Sequence, residues 1–71
     1  MNSKLKNILY FDNFPEAKLA LGKVSFPAFI KPYECNNPEF IYKANNYSEA
    51  IYYLYDAFEH SHNSWVVIEC V

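Results

Sequence analysis

Between residues 47 and 60 the apolar side chains Tyr47, Ile51, Leu54 and Phe58 recur at intervals of three and four, with Ala50 beside them. That spacing lines one face of an α-helix, where 3.6 residues complete a turn. Asn46 followed three residues later by Glu49 resembles a capping box, with Ser48 competing for the cap position. The polar run His60, Ser61, His62, Asn63 and Ser64 closes the segment. A chain of 71 residues forms one domain at most, so the single domain 1–71 must supply the surface on which this helix packs.

The flanking segments read mainly as strands. Residues 65–71 are a nearly unbroken apolar run rich in β-branched residues, which predicts a central strand. In residues 5–11 Leu5, Leu9 and Phe11 fall on one side of an extended chain and Ile8 and Tyr10 on the other, which predicts a second. A short helix over 14–21 follows, with Asp12 or Asn13 as cap, Pro15 and Glu16 in its first turn, and Gly22 in the left-handed closing conformation. Val24, Phe26, Ala28 and Ile30 alternate, but Pro27 cannot donate to a ladder, so 24–31 is predicted as an edge strand. A turn region over 31–38 and a returning strand over 40–44 complete a loose hairpin. The order is βαββαβ, an α+β two-layer sandwich of the ferredoxin-like kind, with an antiparallel sheet and the 47–60 helix on one face. A three-stranded sheet with one helix, or a helical N-terminus, is the competing arrangement.

Composition removes several function classes. The apolar content of 52%, with seven Tyr, six Phe and one Trp, argues against disorder. One Gly leaves no glycine-rich phosphate loop, and the absence of Arg removes the planar fork used on phosphates and guanine. Residues 1–43 carry six Lys against four acids, whereas 44–71 carry Glu49, Asp56, Glu59, Glu69 and no base, giving +2 and −4 within the net −2. Nucleic acid is therefore a poor expected partner. No signal-like segment and no span of about 20 apolar residues is present, so a cytoplasmic protein is expected, without a membrane role. Cys35 and Cys70 are then free thiols. The bias toward Asn, Lys, Ile, Tyr and Phe resembles the codon usage of AT-rich genomes, common among low-GC bacteria and their phages.

The candidates for chemistry are thin. His60 and His62, with Glu59 and a cysteine, lack the spacing of a zinc site, and residues two apart on a helix point about 200° apart. Neither cysteine has a sequence neighbour that activates it, so no catalytic residue, metal site or cofactor is expected and the protein is read as a non-enzyme. Tyr10, Phe40, Tyr42 and Trp65 offer an aromatic platform for RNA or single-stranded DNA, the alternative function. The favoured one rests on the 47–60 helix. If Tyr47, Ile51, Leu54 and Phe58 face inward, Glu49, Tyr52, Tyr53, Asp56 and Glu59 lie on the flanks and the opposite side, with both tyrosines in water. Rings among carboxylates make a docking surface for a protein with a basic surface. A homodimer is a further possibility. A short, acidic, non-catalytic module of this kind suits an inhibitor or modulator of a larger, nucleic-acid-handling assembly, as phages and mobile elements encode in their anti-CRISPR proteins.

Overall fold

Helix nucleation is decided at two asparagines. The structure, a computed structural model, describes residues 7–35 and 37–70. Asn46 is extended (φ −158°, ψ 174°) and its side chain accepts the Glu49 N–H at 2.9 Å, while the Glu49 carboxylate accepts the Asn45 N–H at 2.9 Å. Two donors with no partner inside the helix are thereby satisfied, and helix α2 runs over Tyr47–Glu59. Asn13 does the same for α1, Phe14–Leu21, accepting the Glu16 N–H at 2.9 Å with Pro15 in the first turn.

The expected left-handed closure at Gly22 does not form. Gly22 is right-handed (φ −73°, ψ −9°), and α1 ends by tightening, with Gly22 N–H donating to Leu19 O and Lys23 N–H to Ala20 O. Nothing there requires a glycine, and an added Cβ meets only Leu19 O at 3.5 Å. Gly22→Ala is therefore expected to stabilise the fold by about 0.4–1 kcal/mol, through a less disordered unfolded chain. A rise of about 2–8 °C in Tm checks it, and a fall contradicts it.

Among the described residues four strands, β1 (Asn7–Phe11), β2 (Ala28–Pro32), β3 (Tyr42–Ala44) and β4 (Val66–Cys70), join these helices in the predicted order βαββαβ. The sheet is antiparallel and runs β1-β4-β2-β3, so the second and fourth strands are central and the first and third are edges. β2 is thus not the edge strand its proline suggested. Pro27 precedes the first paired residue, and Pro32 ends the strand opposite Val66, so no proline interrupts the ladder from within. The returning strand is shorter than 40–44 because Asn37 accepts the Glu39 N–H and bends Pro38–Phe40 into one 3₁₀ turn. Residues 5, 6 and 71 of the first and last predicted strands lie outside the described residues.

Side chains of alternate strand residues point to opposite faces. Ile30, Ala44, Val66 and Ile68 face the helices and meet Ala17, Leu21, Ala50, Leu54 and Ala57 in one buried cluster. The inward centre of α2 is therefore Ala50, Leu54 and Ala57, all at 0% exposure, and not the larger Tyr47, Ile51 and Phe58. At about 100° per residue this rotates the helix by some 60–70° from the predicted face. The cause is close approach: two methyl side chains let the helix backbone settle on the sheet, and the bulky groups flank the contact.

Candidate functional site

Rotation of α2 redistributes the predicted docking residues. Tyr52 remains exposed at 72%, but Tyr53 turns inward and stacks on Tyr42 with ring centroids 4.9 Å apart and planes within 4°. Tyr53 is half-buried, which corrects the expectation that both rings stand in water. Asp56 is half-buried too: its carboxylate accepts the Tyr42 hydroxyl, and His60 Nδ1 lies 3.7 Å from it. Glu49 is occupied in the cap, and Glu59 is exposed. Tyr55 stands at 63% exposure in place of Tyr53, stacked on Phe14 at 4.4 Å. Taking the alanines as the inward stripe would have found it, since Tyr52, Tyr55 and Glu59 then fall on the far side.

The Tyr42–Asp56 contact makes the fold sensitive to base. Burial, followed by the hydrogen bond to Asp56 and that carboxylate's charge, pushes the Tyr42 phenol up from 10 to about 12. A group whose pKa is raised by folding gives stability that is complete below the unfolded value and is lost on passing through the folded one. Tyr42 should thus weaken the fold between pH 10 and about 12. Urea unfolding of Tyr42→Phe is expected to show about 1.5 kcal/mol less stability at pH 8, the low end for a hydrogen bond to a charged group. Its difference from the parent should shrink as the pH climbs, and a constant difference would count against the linkage.

The second candidate surface is the sheet face that neither helix covers. Ile8 and Tyr10 of β1, Phe29 of β2, and Tyr33 and Trp65 at the ends of β2 and β4 retain between 37 and 51% of their exposure around Val67, which is 5% exposed. These side chains present on the order of 500 Å² of apolar surface, at the upper end of what monomeric domains leave uncovered. Lys31, Lys43 and Glu69 share the face by strand alternation and register. Tyr10 and Tyr33 meet edge to face with centroids 5.3 Å apart, and with Trp65 they line an open cleft of about 320 Å³. An adjoining groove of about 260 Å³ shares both tyrosines and adds Ile8, Lys31, Glu34, Val67 and Glu69.

The backbone holds this corner firmly. Trp65 donates its N–H to Asn63 Oδ1 at 3.0 Å, and its carbonyl accepts the Tyr33 N–H and the Ser61 hydroxyl, each at 2.9 Å. Glu34, directly after Tyr33, and Ser64, directly before Trp65, both take positive φ, 63° and 68°. Non-glycine residues hold that conformation at a cost of order 1–2 kcal/mol, and such residues concentrate where side chains must be aimed. The predicted nucleic-acid platform is split: Tyr10 and Trp65 are on this face, whereas Phe40 stacks on His60 at 4.3 Å and Tyr42 stacks on Tyr53 of α2. Sequence reading missed Phe29 and Tyr33, whose signal was their alternation with the inward Ala28, Ile30 and Pro32.

Cys70 is buried, Cys35 is half-buried, and both are free. Among the described residues no three His, Cys, Asp or Glu side chains are grouped to hold a metal ion, and no helix is long and apolar enough to cross a membrane. No protein-family model, curated protein or solved structure matches the chain.

Proposed function

We propose that this chain is a small non-catalytic protein-binding module that docks through the open face of its sheet. Its mode of action is steric: it covers a working surface of a larger assembly, as an inhibitor or modulator of the phage or mobile-element type does. The observation that carries this reading is the set of half-exposed apolar side chains Ile8, Tyr10, Phe29, Tyr33 and Trp65 on the sheet face that neither helix covers, around a buried Val67. A domain this small gains by burying such a surface, and rigid aromatic side chains lose little entropy when a partner covers them. The outer surface of α2, with Tyr52, Tyr55 and Glu59, is the secondary surface, suited to steering a basic partner. Two free thiols fit a cytoplasmic setting.

Single-stranded nucleic acid is the rival occupant, favoured by the aromatic side chains beside Lys31 and Lys43. Against it stand Glu34 and Glu69 at the same face and a chain with no arginine. Affinity purification from host cells separates the readings. The parent chain, a Tyr10→Ser/Trp65→Ser variant and a Tyr52→Ala/Tyr55→Ala variant serve as baits, with protein and nucleic acid both quantified. The expected result is a protein retained by the parent and the helix variant and lost with the sheet variant. Retention by the sheet variant, or recovery of nucleic acid without protein, overturns the proposal.

A further inference from the structure

We propose that two copies of this chain join edge to edge through β1, antiparallel about Leu9, so that two four-stranded sheets continue as one of eight. β1 ends the sheet, and alternate residues along it turn their backbone N–H and C=O groups outward with no neighbouring strand among the described residues. Such an edge is usually blunted by a charge, a proline or a bulge. β1 has none of these: it runs Asn7, Ile8, Leu9, Tyr10, Phe11, and its five residues pair with β4 consecutively. The opposite edge is protected. β3 is three residues long, follows a 3₁₀ turn and carries Lys43 at its centre, so two copies joined there would set one Lys43 against the other.

The pairing that follows selects a second copy over a foreign strand. With a two-fold axis at Leu9, perpendicular to the sheet, Ile8 of each copy lies opposite Tyr10 of the other, and Asn7 lies opposite Phe11. Residues two apart share a face, so both Ile8–Tyr10 pairs form on the open side, where Ile8 keeps 49% and Tyr10 51% of its exposure. A ring against a β-branched side chain is a favourable cross-strand pair, and no charge meets a like charge. This register pairs all five residues of β1, whereas centring on Ile8 or Tyr10 pairs three of them and sets that side chain against itself. On the helix side Asn7 and Leu9 line an open groove of about 310 Å³ with Ala20, Val24 and Cys70, and Phe11 of the second copy comes beside it. All helices stay on one side of the joined sheet, so the dimer presents two open faces in one plane. The association does not depend on what those faces bind.

A strand pair of this length is a small interface, so the association depends on concentration. Sedimentation of the purified chain, loaded from about 1 µM to about 1 mM, should pass from one chain mass to two and stop there. Two variants test the register: Ile8→Lys/Tyr10→Lys and Ile8→Glu/Tyr10→Glu, each kept if its thermal unfolding remains cooperative. Each alone sets like charges opposite one another at both symmetric pairs and should lose at least about tenfold in association. Their mixture sets opposite charges there and should recover the dimer, while Tyr52→Ala/Tyr55→Ala should dimerise like the parent. The parent chain gives a second readout that needs no variant. In a mixture of isotope-labelled and unlabelled protein, contacts between copies should run from the Ile8 methyl groups to the Tyr10 ring. A parent chain that stays monomeric throughout, one that grows past the dimer, a doubly charged variant that still dimerises alone, a mixture that does not recover, or contacts led by Tyr52 and Tyr55 overturns the proposal. Docking of a different protein through the sheet face is read separately, from the Tyr10→Ser/Trp65→Ser bait, and stands or falls on that result.

Discussion

Leu54→Ala is expected to bring the domain close to unfolding at 37 °C. Leu54 is fully buried in α2 between Ala50 and Ala57, against a sheet centre formed by Ile30, Val66 and Ile68. Removing a buried leucine side chain costs about 2–5 kcal/mol, and the cost is greatest where neighbours cannot move in to fill the space. Here two of the neighbours are methyl groups already in contact with the sheet. A domain of this length has roughly 4–10 kcal/mol in total, so the loss takes a large share of it. Thermal unfolding by circular dichroism should show Tm lower by some 10–25 °C. By contrast Tyr52→Ala, at a side chain mostly in water, is expected to stay within about 0.5 kcal/mol of the parent. A mild effect at Leu54 would mean that the helix does not approach the sheet as closely as the alanines allow.

The Tyr10→Ser/Trp65→Ser variant is expected to lose at least 100-fold in partner affinity, about 2.7 kcal/mol, with little loss of stability. Both side chains keep two-fifths or more of their area in water, so folding depends on them less than a complex would. The Trp65 backbone is held through groups the substitution leaves in place: its own N–H and carbonyl, Asn63, Ser61 and the Tyr33 N–H. Tyrosine and tryptophan on a docking face carry a disproportionate share of binding energy because they shed much water per immobilised torsion. Isothermal titration with the purified partner, beside urea unfolding of the same variant, separates binding loss from folding loss. Equal losses in both would place Tyr10 and Trp65 in the architecture only.

The two kinds of information in the chain differ in how far they reach. Helix α2 is legible in the sequence because periodicity and capping agree: Asn46 and Glu49 mark its start, and apolar groups recur to Phe58. Its rotation is not, because a periodicity argument weights large side chains, while packing distance is set by the small ones at Ala50 and Ala57. The element order is legible for the same local reasons, whereas the place of β2 depends on pairing with β4, nearly forty residues away in sequence. Pro27 misled because a proline excludes a residue from a ladder only where that residue is paired. The helix-borne docking set was read from the larger apolar residues, so the shift of centre to the alanines exchanged Tyr53 for Tyr55. The open sheet face was legible only in part. Tyr10 and Trp65 were visible as aromatic residues on strands, but that they join Phe29 and Tyr33, and part from Phe40 and Tyr42, follows from register.

Hydrogen exchange and aromatic-side-chain NMR of the chain bound to its captured protein partner bear most directly on the central claim. The Trp65 indole and the rings of Tyr10, Phe29 and Tyr33 should shift, with slowed exchange confined to the outer edge of β1 and to the turns around Glu34 and Ser64. Signals of Tyr52 and Tyr55 should stay where they are. The opposite pattern, with the α2 tyrosines perturbed and the Trp65 indole unchanged, would contradict docking through the sheet and return the binding surface to the helix.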